Sequence, residues 1–217
     1  MTIAPEGPRP PRQKRSEATL ARILEAAGRL LATRDLEAVT VEDIAREAGV
    51  SVGSLYTRFK SKDDLLTHLL DSTQRRQVAQ LETVLAPERW EGVGLAARVD
   101  WLVDALRDSA HASPGLIRAV FGRLLSQSAE LSRGPATLNA RSVELIAAWL
   151  LAADDGVTAR DPETAAATTT AWLSYSVHMA LLYDFAFPGR EREQVVAELR
   201  RAALAALRPG DGAGGGT

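Results

Sequence analysis

The chain of 217 residues contains no cysteine. Disulfides, thiol nucleophiles and cysteine-based metal sites are therefore excluded; the absence is neutral about compartment, and the cytoplasm, which is the expected one, fits it. Histidine is scarce, at three residues, and so is lysine, at three against 23 arginines. The nearest approach to a metal-ligating helical pair is Asp108-Ser-Ala-His111, which has no second copy, and His68 and His178 lack the spacing. No metal or other cofactor is expected, and a helical-bundle enzyme is the weaker alternative. No Gly-rich phosphate loop or nucleophile elbow supports catalysis. No run approaches the roughly 18 apolar residues of a membrane span, and the opening MTIAPEGPRPPRQKR has no apolar core of the kind a signal peptide needs. Aromatic residues are only 5% of the chain.

What is present is a hydrophobic fraction of 46%, enough for a sizeable core, with a net charge of −2 that by itself names no partner. The distribution of charge is more informative. Residues 1–62 carry a net +3 and residues 63–217 a net −5, so the N-terminal end is the one suited to a polyanion.

That basic end holds the segment TVEDIAREAGVSVGSLYTRFKSKDDLL. Thr40 caps a short helix, with Asp43 three residues on as the acidic partner of a capping box. Ile44, Ala45 and Ala48 form its apolar stripe, and Gly49 supplies a left-handed stop. Ser51 caps the next helix. Val52, Leu55 and Phe59 face inward, whereas Gly53, Ser54, Tyr56 and Thr57 face outward, with Arg58 and Lys60 adding charge nearby. Ser61 caps a further helix with Asp63 and Asp64 in its first turn. Two short capped helices around a glycine turn, the second with a thin polar face, are the pattern of a helix-turn-helix that enters a major groove.

On these residues the chain resembles TetR/AcrR-type bacterial transcriptional regulators, over roughly residues 16 to 70. The resemblance implies that Thr40, Ser51, Ser54, Tyr56 and Lys62 touch DNA. Their chemistry agrees, because hydroxyls, backbone amides at helix starts and an ammonium all suit phosphates. Gly53 lets the helix backbone approach the groove, and Ser54 and Thr57 are candidates for base edges. Asp35 stands at a bend where the family pattern has glycine, a position Asp fills if the backbone is left-handed. Arg58 stands where His or Tyr is common.

Residues 1–15 are read as a disordered basic arm, with Arg12, Lys14 and Arg15 either reaching along DNA or serving only as a solubilising tail. Residues 16–61 are the helix-turn-helix domain, beginning with a helix capped by Ser16. Residues 62–208 are a helical domain, and 209–217 a Gly-rich disordered tail. The apolar periodicity makes the whole chain all-α with about nine helices. The fourth starts at Lys62. The later ones run near Glu91–His111, from Pro114, near Ala136–Ala153, from Pro162 to Phe185, and from Arg190 to Leu207, with a loop from Ser128 to Pro135.

The resemblance further implies an effector pocket among the middle helices. Its candidate lining is Trp101, Phe121, Leu125, Trp149, Trp172, Tyr175, His178 and Met179, which suits a small apolar molecule. The same residues at helical spacing also read as ordinary core, and a protein partner in place of a small molecule is a second alternative. Small and apolar residues on the last two helices, Leu173, Val177, Ala180 and Leu181 with Val195, Leu199, Ala202 and Ala206, either complete the monomer or form a four-helix homodimer interface. The resemblance implies the dimer, which calls for a two-fold operator on double-stranded DNA. Repression is the expected output.

Overall fold

In the computed structural model the described residues are 11–125, 133–184 and 186–209. They form α1 (Pro11–Thr33), α2 (Val41–Ala48), α3 (Val52–Tyr56), α4 (Lys62–Val84), α5 (Leu95–Ala112), α6 (Pro114–Leu125), α7 (Arg133–Leu151), α8 (Pro162–Leu182) and α9 (Arg192–Leu207), with 3-10 turns at Leu36–Ala38 and Pro87–Arg89. Among the described residues there is no strand, so the all-α expectation holds.

Local chemistry places the boundaries. The Thr40 hydroxyl accepts from Asp43 N at 3.1 Å while Thr40 N donates to the Asp43 carboxylate at 3.3 Å, the reciprocal pairs of a capping box. Gly49 ends α2 at φ 65°, a conformation that favours glycine. Ser51 and Ser61 cap α3 and α4 by accepting from Ser54 N and Asp64 N, at 3.1 and 3.0 Å. Asp161 caps α8, with Pro162 at its first position.

Several expected boundaries and one expected backbone conformation are corrected. The first helix begins at Pro11, so residues 11–15 continue α1 and Ser16 lies inside it. The Ser16 hydroxyl accepts from Arg58 Nη1 at 3.0 Å instead of capping. Asp35 is extended (φ −69°, ψ 153°), so the bend after α1 forms without a left-handed residue and the missing glycine costs nothing. Helix α7 starts three residues before Ala136 and α8 stops at Leu182. The expected loop up to residue 132, Phe185 and residues 1–10 and 210–217 fall outside the described residues.

Two apolar cores result. One joins Ile23, Ala27 and Leu31 of α1 to Ile44, Leu55, Phe59, Leu65 and Leu69. The other joins Leu95, Val99 and Leu102 of α5 to Leu150, Leu173, Val177, Val196 and Leu207. Helix α4 belongs to both, with Leu65, Leu66 and Leu69 in the first and Leu81 and Val84 packed on the second. Helix α6 also touches both, through Leu116 and Ile117. Gly115 makes that contact possible: a Cβ there would lie 2.5 Å from the Leu31 carbonyl oxygen and closer still to that of Arg34. Among the described residues no helix is long and apolar enough to cross a membrane.

Candidate functional site

The helix-turn-helix face is built from the caps upward. Leu55 and Phe59 are fully buried and fix the inner side of α3 against α1 and α4. This leaves Ser51, Gly53, Tyr56 and Thr57 exposed along the opposite side, with Ser54 half-buried. Tyr56 is 51% exposed, one of two large hydrophobic residues so placed among the described residues. A Cβ at Gly53 would meet nothing nearer than Ser51 Oγ at 4.0 Å, so the folded chain itself does not require glycine there. Thr57 Oγ1 donates to the Gly53 carbonyl at 2.8 Å, which ties the end of this one-turn helix.

The nearby cations divide. Lys60 is exposed, and its backbone N–H donates to Asp64. Lys62 is half-buried and donates from Nζ to the Leu36 carbonyl at 2.6 Å, which anchors the turn after α1. Arg58 is held by Ser16 at 3.0 Å. Lys62 and Arg58 therefore serve the packing of α1, α3 and α4 and retain further donors for an anion. The side chains of Arg12, Lys14 and Arg15 lie outside the described residues, although their backbone is helical. Asp43 is held below its ordinary carboxylate range, chiefly by the Thr40 backbone N–H and further by the Thr40 hydroxyl and Arg34, with burial opposing.

The expected effector residues do not line one cavity. Trp101 and Trp149 pack edge-to-face at 5.4 Å, together with Trp90. Phe121, Tyr175 and His178 form a second group, with Phe121 5.3 Å from the Tyr175 ring and 5.8 Å from His178. His178 Nε2 lies 2.8 Å from Ser109 Oγ. Burial pushes its imidazole below the ordinary value, opposed by backbone hydrogen bonds to Ser174 and Leu106. Trp172 packs beside the second core, Met179 is half-buried, and the Leu125 side chain lies outside the described residues.

The expected dimer residues divide as well. Leu173, Val177, Ala180 and Leu181 are buried inside the single chain, which corrects their assignment to an interface: they close α8 onto the monomer core. Val195 and Leu199 are half-buried, and Ala202 and Ala206 are exposed. The solvent-facing stripe of α8 is Thr164, Thr168, Ala171 and Tyr175.

Three features escaped the reading of the sequence. Arg98 is 3% exposed and donates to the carbonyls of Val93, Trp90 and Trp149. Asp155 accepts from Leu95 N at 2.6 Å and so caps α5 from another segment, while Gly94 gives it room. Arg118 of α6 pairs with Asp35. Each joins residues more than 50 positions apart, as with Arg98 and Trp149, so no local pattern announces it. Gly94 and Gly115, each at or next to a helix start, were the available hints.

A short capped helix with an open polar face, buttressed by α1 and carried on a second all-helical domain, defines a helix-turn-helix transcriptional regulator. Residues 23–69 match the family model for bacterial regulatory proteins of the tetR family, and residues 94–207 match the model for the Tetracyclin repressor-like C-terminal domain. The chain belongs to the TetR family, whose members are DNA-binding transcriptional regulators and not enzymes. It is 37% identical over 100 residues to the transcriptional repressor KstR2 of Mycolicibacterium smegmatis, covering 44% of this chain and 46% of that protein. It is 43% identical over 65 residues to the HTH-type regulator YwcC of Bacillus subtilis, covering 30% and 29%. These matches span less than half of each relative. Over longer spans, the fatty acid degradation regulator FadR of Bacillus halodurans superposes with a TM-score of 0.62 at 20% identity, covering 87% of this chain and 99% of that one. FadR of Bacillus subtilis, solved with stearoyl-CoA, superposes with 0.61 at 15% identity, covering 87% and 97%. At those identities the likeness concerns the fold alone.

Proposed function

We propose that two copies of this chain bind a two-fold DNA operator as a repressor, each laying α3 in a major groove, and that a small apolar effector held by the C-terminal half releases them. The reading rests chiefly on the open face of α3, where Tyr56 is 51% exposed and Gly53 has free space around its Cα. Hydroxyls of Thr40, Ser51 and Tyr56 contact phosphates, Ser54 and Thr57 approach base edges, and Lys60, Lys62 and Arg58 supply charge. A single module of this size binds specific DNA too weakly alone, which favours a dimer. With Leu173, Val177, Ala180 and Leu181 consumed inside the chain, the face offered to a second copy is Val195, Leu199, Ala202 and Ala206 with the outer stripe of α8.

The two recognition helices of such a dimer must lie about 34–36 Å apart to match successive turns of B-DNA. An effector acts only through its different affinity for the matched and unmatched arrangements. The test is binding of the purified protein to the DNA upstream of its own gene over a salt series, beside Tyr56→Ala. Saturable, salt-sensitive binding by a dimer, weakened in the variant and absent on unrelated DNA, is expected. Failure of ligand-free protein to select any sequence from genomic DNA overturns the reading.

A further inference from the structure

The hydroxyl groups around α3 divide by how the fold already uses them. A serine or threonine hydroxyl has one proton and two lone pairs. Ser51 and Ser61 each use a lone pair inside the chain, accepting from Ser54 N at 3.1 Å and from Asp64 N at 3.0 Å. Their protons remain for an outside acceptor, which is what a phosphate oxygen offers. Thr57 is committed the other way. Its Oγ1 donates its single proton to the Gly53 carbonyl at 2.8 Å, and only lone pairs remain for a partner.

That difference decides what Thr57 can meet on DNA. A phosphate has no proton to give it. In the major groove guanine presents the acceptors N7 and O6, and thymine presents O4 and a methyl group, whereas the adenine N6 and cytosine N4 amines donate. A Thr57 that keeps its bond to Gly53 is therefore restricted to those two amines.

The surroundings favour the same contact. Gly53 and Thr57 lie four residues apart on one side of the helix, and both are exposed. With no side chain at Gly53, a base edge can come in over the backbone to Thr57. The Gly53 carbonyl also accepts from Thr57 N at 3.0 Å, so the end of α3 is tied twice at this point. No arginine, lysine, asparagine or glutamine occurs from Ser51 to Thr57, so the side chains that read guanine or adenine bidentately are missing from this helix. Arg58, the next residue, is half-buried and bonded to Ser16.

The bond to Gly53 also fixes the Thr57 rotamer, and with it the γ-methyl group. A threonine methyl packs on the C5-methyl of thymine, and an A·T pair carries that methyl and the adenine amine in the same groove. A C·G pair has an amine but no methyl group.

We propose that Thr57 is a specificity-determining residue that selects an A·T pair in each half-site, its hydroxyl accepting from adenine N6–H and its γ-methyl lying against the thymine methyl. This rests on α3 being the helix that enters the major groove, and adds the base pair it demands there.

The experiment selects binding sites from random-sequence duplex DNA with the full chain, with Thr57→Val and with Thr57→Ser. Thr57→Val keeps the shape and a methyl group and removes the lone pairs. The backbone bond from residue 57 to Gly53 stays, so its thermal melt should hold. The parent is expected to specify A·T at one position per half-site where Thr57→Val accepts any pair, with the other positions unchanged, and Thr57→Ser should keep the adenine. The selected site is then remade with unsubstituted purine, which lacks the 6-amino group, in place of that adenine. This should weaken the parent about fivefold per half-site and leave Thr57→Val unaffected. Uracil in place of the thymine should weaken the parent and Thr57→Val alike and leave Thr57→Ser unaffected. The assignment is overturned if the altered position is a C·G pair, if no position alters, if purine weakens the parent and Thr57→Val equally, or if the parent is indifferent to uracil. Sites that resist Thr57→Val but are lost with Tyr56→Ala overturn this role and keep α3 as the reader. A parent chain that selects no site overturns the reading of α3 itself.

Discussion

Arg118 Nε donates to Asp35 Oδ1 across 2.7 Å, and the same guanidinium reaches the Leu182 carbonyl at 3.4 Å. One side chain on α6 thus joins the bend that precedes the helix-turn-helix to the end of α8. The pair is open to solvent, with 35% of the Arg118 and 56% of the Asp35 side-chain surface exposed. Arg118→Ala should therefore lower stability by no more than about 1 kcal/mol in chemical denaturation.

What sets the closeness of α1 and α6 is instead the missing side chain at 115. Gly115→Ala forces a methyl group onto the Leu31 and Arg34 carbonyls, neither of which is a flexible side-chain end. A loss of about 1–3 kcal/mol is expected from such overpacking. Gly122, later in the same helix, meets nothing within 4 Å of a built Cβ. Gly122→Ala should stabilise by about 0.5–1 kcal/mol through helix propensity. Equal effects at the two positions would contradict the close approach.

Gly53→Ala separates fold from function. The free chain has room for the methyl group, so the variant should melt no lower than the parent. Its affinity for operator DNA should nonetheless fall at least tenfold if the helix backbone approaches the groove, measured by fluorescence anisotropy at fixed salt. Unchanged DNA affinity would place the groove-facing side of α3 elsewhere.

Thr40→Ala removes the hydroxyl that caps α2 and one half of its capping box. Loss of about 1 kcal/mol is expected. DNA affinity should fall further than that stability loss explains, because the same hydroxyl is assigned to a phosphate.

His178 gives a pH dependence whose sign follows from burial. Its folded form resists protonation, whereas the unfolded chain takes up a proton near the ordinary value of 6.5. Below that pH the unfolded state binds more protons, so stability falls as pH drops through this window. His178→Asn should flatten denaturation midpoints between pH 7 and the lowered folded value, a comparison made at about pH 7 and pH 5.5.

The helix-turn-helix was legible because its signals are local. Thr40, Asp43, Gly49, Ser51 and Ser61 lie within one short segment, and each does in the fold what its residue type does at a helix end. The C-terminal half was legible only as helices. Leu173 and Val177 read as interface in preference to core, an error open to any such reading because periodicity identifies an apolar face without saying what covers it, and packing within the chain covers this one. The effector residues were grouped by aromatic character, yet Trp101 packs with Trp90 and Trp149 whereas Phe121 packs with Tyr175 and His178, a division that helical spacing alone does not reveal. Ser16 misled for a simpler reason: a serine before an apolar stripe resembles a cap, but proline at 11 supplied an equally good first turn.

Helix α4, shared by the two cores, has a consequence for leverage. At 23 residues it is a rod roughly 35 Å long, so a turn of about 5° at its C-terminal end sweeps the other end by about 3 Å. That sweep is close to the rise of one base pair, about 3.4 Å. In the proposed dimer, whose two readers must match a turn of DNA, a small rotation of α4 about its C-terminal end is thus enough to put them out of step.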